Sequence, residues 1–423
     1  MPGLTRRTFI VAVGTAGALS LFGCAGKTRN ATKAKVVVIG GGYGGATAAK
    51  YLKIFDPSLE VTLIEKKTGY LSCPGSNEVL AGWHGLEWLR RSHDSLHDNH
   101  GVRLVRGKAV NIHAKRRIVR LKDGAELPYD RLIVAPGIDF RWGAIEGYDE
   151  AASRIAPHAW KAGPQTTLLR NQLEAMRDGG VVLITAPANP YRCPPGPYER
   201  ASLIAHYLNH HKPKSKVLIL DAKTQFSKQA LFLKGWQTLY PGMVEWISAG
   251  QEGSIERIDA QRRIVFTEFN EHRSDVLNVV PPQKAGTLAQ ESGLADESGW
   301  CPIDPHSFAS TLQPHIHVIG DACVATPMPK SAFAANSQAK VCAAAVVGLL
   351  RDREPGPPSL INHCYSFLAP DYAISITGVY EYSGREGQLV ATSTGETPMD
   401  ADRRREAKFA DSWRINIAAD TFK

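Results

Sequence analysis

The chain has 423 residues, 43% of them apolar and 22% charged, enough material for packed cores and too apolar a balance for a disordered chain. Fifty Lys and Arg against 41 Asp and Glu leave a formal charge of +9. The basic residues form no long block and no basic-aromatic module, so nucleic-acid binding is not expected, whereas an acidic protein partner or an anionic substrate is.

Residues 1–34 read as an export signal and linker. Arg6-Arg7 precede an apolar, small-residue stretch from Phe9 to Gly23. That stretch is shorter than the roughly 20 residues a bilayer span needs and has the form of a twin-arginine signal. Leu21-Phe22-Gly23-Cys24 resembles a bacterial lipobox, in which Cys24 would be lipidated; the alternative is an uncleaved N-terminal anchor. A periplasmic protein is therefore expected, touching a membrane only through this segment. Six cysteines follow, Cys73, Cys193, Cys301, Cys323, Cys342 and Cys364. None lies in Cys-x-x-Cys or Cys-x-x-Cys-His, so this chain carries no c-type haem attachment motif and no zinc-ribbon spacing.

The mature part opens on a strand, Lys35-Val36-Val37-Val38-Ile39, a turn with Gly40, Gly42 and Gly45 spaced G-x-G-x-x-G, and a helix through Leu52. In such a unit the glycines bring backbone against a pyrophosphate and the helix N-terminus offers it free N–H groups. A second strand, Val61 to Ile64, ends in Glu65, whose carboxylate suits ribose hydroxyls. His93 and His97, four residues apart among Asp and Asn, read as a solvated surface rather than a metal site, and no metal is expected.

A second βαβ pattern spans Gly180–Thr185, a helix from Tyr198 to Leu208, and Lys216–Asp221. Its first turn, 186–199, lacks the glycine motif and is rich in proline, which removes the N–H groups a phosphate needs. NAD(P)H is accordingly not expected there. Tyr129 to Gly137, including Ala135, and the strand Ile316 to Ile319 ending in Gly320-Asp321 resemble the flavin disulfide reductases. That likeness implies FAD, with Asp321 bonded to the ribityl chain. Pro327-Met328-Pro329-Lys330-Ser331 would lead into a helix from Ala332 to Leu350 whose dipole stabilises a reduced flavin. Cys301, Cys323 and Cys342 read as small buried side chains, and Arg403-Arg404-Arg405 as a solvated face.

Several segments together resemble one family. Pro157-His158-Ala159-Trp160-Lys161-Ala162-Gly163, Cys193-Pro194-Pro195-Gly196-Pro197-Tyr198-Glu199-Arg200-Ala201, Pro327 to Ser331, Ala335-Asn336-Ser337-Gln338 and Cys364-Tyr365-Ser366-Phe367-Leu368-Ala369-Pro370 are similar to the flavoprotein subunit of flavocytochrome c sulfide dehydrogenase. The resemblance implies an exported FAD enzyme that oxidises sulfide to sulfur or polysulfide and passes electrons to a separate c-type cytochrome. It further implies that Cys193 and Cys364 form a redox disulfide attacked by hydrosulfide through thiol–disulfide exchange, with Glu199 as a proton shuttle. It makes Cys73 the covalent attachment point of FAD, although Pro74-Gly75 after it departs from the family pattern, and sets Trp413 near the flavin.

The expected fold is α/β and glutathione reductase-like, with two Rossmann-like, three-layer, dinucleotide-binding-type domains and a C-terminal interface domain. Residues 35–150 and 281–350 would form a discontinuous FAD-binding domain, 151–280 the second nucleotide-fold-derived domain, and 351–423 the interface domain. Two other readings compete. A sulfide:quinone oxidoreductase would need a membrane-dipping amphipathic C-terminus, for which the tail from Arg414 to Lys423 is short and polar. A non-catalytic flavoprotein would only dock a cytochrome.

Overall fold

Strands that are apolar along their whole length belong in parallel sheets covered on both faces. Lys35–Ile39, Glu60–Glu65, Arg131–Val134 and Ile316–Val318, with the more exposed Arg103–Arg106 at the edge, form such a sheet in a computed structural model that describes residues 33–423. Residues 1–32, which hold the expected export signal and Cys24, lie outside the described residues. The spatial order, taken by first residue, is 316, 131, 35, 60, 103, and every pairing is parallel. Ile39 is in register with Ile64 on one side and Val134 on the other, so Gly40, Glu65 and Ala135 emerge together at the carboxyl ends of their strands. This is where open parallel sheets bind ligands. The strand Ile316–Val318 joins from far along the chain and delivers Gly320-Asp321 to the same edge.

A second parallel sheet uses Val181–Ala186, Lys216–Asp221, Val244–Ile247 and Val276–Val279, in the order 244, 216, 181, 276. The helix expected from Tyr198 runs from Gly196 to His211, with Pro197 at its start, where a missing N–H costs no hydrogen bond. The third part of the chain is antiparallel: Ser359–Ala369, Tyr372–Ser383 and Gln388–Glu396 pair in sequence order.

The tail that reads as short and polar is the second half of a 20-residue helix, Arg403–Phe422. Asp402 caps its N-terminus by accepting the Arg404 and Arg405 N–H groups at 3.0 and 3.2 Å. Its far end is tied into the first domain by Asp420. One Asp420 carboxylate oxygen accepts the Tyr51 hydroxyl at 2.7 Å, the other accepts Asn336 Nδ2 and Lys340 Nζ, each at 2.8 Å, and Lys50 Nζ donates to the Asp420 carbonyl at 2.9 Å. Thr421 and Phe422 are buried, the latter stacked on Tyr70. The helix Ala332–Leu349 has the length and composition to cross a membrane, yet most of it is packed inside the fold against the helix Tyr43–Phe55.

Candidate active site

The edge where the first sheet ends opens into a cleft of about 670 Å³ lined by all three parts of the chain. Its floor is the glycine turn. Gly40 sits at φ +97°, and a Cβ there would lie 2.3 Å from the Ala135 carbonyl oxygen; at Gly45 it would lie 1.8 Å from the Gly40 carbonyl oxygen. Only glycine closes this turn. A Cβ on Gly42 would meet nothing nearer than the Tyr70 ring at 3.4 Å, so this glycine leaves room for a ligand rather than for the protein itself. The helix Tyr43–Phe55 starts here without a side-chain cap, leaving its first N–H groups to an anion.

Glu65 lines the cleft as expected, but its carboxylate also holds the turn, accepting the Gly41 N–H at 2.7 Å and the Lys67 N–H at 3.0 Å. His93 is not on a solvated surface. It is buried, with Nε2 at 2.6 Å from the Gly41 carbonyl and its ring against Phe422. Its polar neighbours in sequence concealed that the C-terminal helix returns to cover it.

Three polar atoms in this cleft have no hydrogen-bond partner among the described residues, Arg414 Nε and, of more consequence for a ligand, Asp321 Oδ1 and Trp413 Nε1. Burial raises the Asp321 pKa, while Arg192, at 3.9 Å, and Lys330 oppose the rise. A buried acceptor and a buried donor without partners are a standing cost unless a ligand meets them. Together with the glycine cradle they fit a dinucleotide bearing hydroxyls and ring carbonyls, the chemistry of FAD. Trp413 packs its ring in parallel with Phe333, centroids 6.4 Å apart.

Lys330, a candidate cofactor contact in the segment before the helix Ala332–Leu349, does not line the cleft. Its ammonium turns away, donating to the Cys323 carbonyl at 2.8 Å and lying 3.9 Å over the Trp300 ring. Its own carbonyl does the work at the site by accepting the Cys193 N–H at 2.8 Å.

Cys193 occupies a left-handed conformation, φ 60°, just before the helix Gly196–His211, pinned by the Lys330 carbonyl and by its own carbonyl's bond to the Gly196 N–H. Cys364 lies mid-strand in Ser359–Ala369, with Sγ 3.5 Å from Asn362 Oδ1, which also accepts the Ser331 hydroxyl at 2.6 Å. Both sulfurs line the cleft, and both are free thiols where a disulfide was expected. Burial pushes both thiol pKa values up. For Cys193, negative charge on Glu199 and on Cys364 adds to the rise, so these three groups share one field.

Glu199 is half-buried in that field. Its oxygens accept Asn77 Nδ2 at 2.8 Å and the Phe367 N–H at 3.0 Å, and burial raises its pKa against these bonds. Two neighbours carry no motif in the sequence. Lys228 is buried and donates to Ser366 Oγ at 2.8 Å. Ser366 lies two residues beyond Cys364 on the same strand face, and burial lowers the Lys228 pKa while Cys364 and Glu199 oppose it. Glu78 faces the cleft with its carboxyl raised to about 8 by burial. Cys73 lines the cleft, half-buried; the departure Pro74-Gly75 forms a turn, Gly75 at φ +89°, into the short helix Ser76–Leu80.

Known proteins agree with this layout. Residues 34–168 match the family described as pyridine nucleotide-disulphide oxidoreductase. Residues 166–281 match the central part of the sulfide dehydrogenase (flavocytochrome c) flavoprotein chain, and 356–422 match the flavocytochrome c sulphide dehydrogenase flavin-binding family. The sulfide dehydrogenase (flavocytochrome c) flavoprotein chain of Chlorobaculum thiosulfatiphilum is 60% identical over 45 residues, 11% of this chain and 94% of that sequence. Mouse mitochondrial sulfide:quinone oxidoreductase is 23% identical over 343 residues, 76% of this chain and 72% of its own. The crystal structure of the sulfide:quinone oxidoreductase from Aquifex aeolicus superposes with a TM-score of 0.69 at 16% identity, covering 92% of each chain, a likeness of fold. The chain belongs to the family of flavocytochrome c sulfide dehydrogenase flavoprotein chains, built on the disulphide oxidoreductase fold.

Proposed function

We propose that this chain is an FAD-dependent sulfide oxidoreductase that converts sulfide to sulfur or polysulfide at Cys193 and Cys364 and delivers electrons to a separate c-type cytochrome. The observation that carries the reading is that two cysteines, remote in sequence, line one cleft whose floor is a glycine cradle. In the oxidised form the pair is a disulfide. Hydrosulfide attacks one sulfur, leaving a persulfide there and releasing the other as a thiolate. Lys228 favours the released thiolate, and Glu199, held by Asn77 and the Phe367 N–H, takes up the proton. Bound FAD supplies the conversion between a two-electron donor and one-electron acceptors.

Cys73 is the proposed attachment point for the flavin. The yellow absorbance is expected to stay with the polypeptide after denaturation and to map to the Cys73 peptide by mass, whereas Cys73→Ala releases it; free flavin from the unmodified protein would refute the link. The twin-arginine pattern at Arg6-Arg7 supports a periplasmic site of action.

A second reading, sulfide:quinone oxidoreductase, draws support from the long alignment with the mouse enzyme. The C-terminal helix favours the cytochrome instead, since Thr421 and Phe422 are buried in the fold rather than offered to a membrane. Purified protein given sulfide anaerobically is expected to reduce a soluble c-type cytochrome; reduction of a short-chain quinone alone would reverse that choice.

A further inference from the structure

Hydrosulfide chemistry at Cys193 and Cys364 generates a proton inside the cleft, where both thiols and Glu199 are only partly exposed. When HS⁻ attacks the disulfide, the Cys–S–S–Cys bond breaks, a new S–S bond forms, and the products are Cys–S–SH and Cys–S⁻. Loss of the persulfide proton gives Cys–S–S⁻ and leaves one proton per hydrosulfide to be exported from the cleft. We propose that Glu78 and His84 form the outlet that carries this proton to solvent.

The geometry runs in one direction. The short helix Ser76–Leu80 places Asn77 and Glu78 side by side, Asn77 Nδ2 holding Glu199 Oε2 at 2.8 Å. Glu78 lines the same cleft, its side chain 6% exposed. One of its oxygens lies 3.4 Å from His84 Nε2, and His84 is 35% exposed, so the imidazole reaches from the buried carboxyl to water. His84 is held flat on Trp88, ring centroids 3.7 Å apart, and the Arg414 guanidinium lies 4.2 Å from the same Trp88 ring.

The groups facing Glu78 are few. Arg414 Nε, 3.6 Å from its second oxygen, lowers its pKa; Glu199 and Asp411 raise it, and burial dominates. At neutral pH the carboxyl therefore carries a proton it can hand to His84 while taking another from the cleft. Burial and Arg414 lower the His84 pKa, so that imidazole is neutral and able to receive. A carboxyl kept only as a partner for Arg414 would be ionised and hydrogen-bonded to it, which a neutral group at 3.6 Å is not.

The inference rests on the sulfide reading above. Its test is anaerobic stopped-flow of the flavin-loaded protein with sulfide, following flavin bleaching and, with an indicator dye, proton release. Glu78→Gln replaces a neutral carboxyl by a neutral amide of the same shape, and His84→Ala removes a half-exposed ring. Each variant is expected to slow proton release and bleaching about a hundredfold, the lower end of what a positioned acid or base contributes. Glu78→Gln also loses the wild-type pH dependence near 8, and added imidazole restores His84→Ala. Variants that match the wild type in rate and pH profile, or that slow without imidazole rescue and without a change of profile, overturn the outlet. A wild type that sulfide does not bleach overturns the sulfide reading itself, and the outlet with it.

Discussion

Cys364→Ser is expected to keep its flavin and to lose sulfide-driven flavin reduction by about 10⁴-fold or more, because groups that act as one unit fail together. The serine hydroxyl fits the site. Asn362 Oδ1 already accepts the Ser331 hydroxyl and Lys228 already bonds Ser366, so a hydroxyl at 364 meets partners rather than apolar walls. What it cannot do is share a bond with Cys193 or leave as a thiolate. Cys193→Ser is expected to lose as much, and the double variant no more than either single one. Anaerobic bleaching of the flavin absorbance measures all three, and a single variant that retains fast bleaching would mean that one thiol suffices.

The second large effect lies in the glycine turn and separates fold from ligand. Gly45→Ala would set a Cβ 1.8 Å from a backbone carbonyl that no side-chain rotation can move, so the turn must open, at a cost of about 3 kcal/mol, and both thermal stability and flavin binding fall. Gly42→Ala meets only the Tyr70 ring, at 3.4 Å, and keeps its φ of −78°. It is expected to melt as the wild type does and still bind flavin poorly, because the methyl occupies the phosphate's place. Thermal melts with flavin content check both; equal flavin loading in Gly42→Ala would place the phosphate elsewhere.

Local chemistry was legible in the sequence. The strand, turn and helix around Gly40 to Gly45, the strand ends at Glu65, Ala135 and Asp321, and the helix following Ser331 each announce themselves within a short window, and the sheet register then gathers them at one edge. The two parallel sheets followed from apolar runs. Contacts made across the chain were not legible. His93 stands in a polar run and is covered by Phe422, whose approach depends on Asp420 binding Tyr51, Asn336 and Lys340. Lys330 sits in a family motif, yet its carbonyl rather than its ammonium reaches the site, a distinction invisible in a side-chain alphabet. Lys228 and Glu78 gain their meaning from burial beside Cys364 and Arg414, which no spacing within their own segments encodes.

Everything chemical in this account requires Cys193 and Cys364 to act as a single bridge. Alkylation of the resting, air-oxidised protein under denaturing conditions, followed by peptide mass mapping, tests that directly. The account predicts a linked Cys193–Cys364 peptide that disappears after one equivalent of sulfide, with an added sulfur on one of the two cysteines. Recovery of both cysteines separately alkylated from resting protein that sulfide nonetheless bleaches would contradict it.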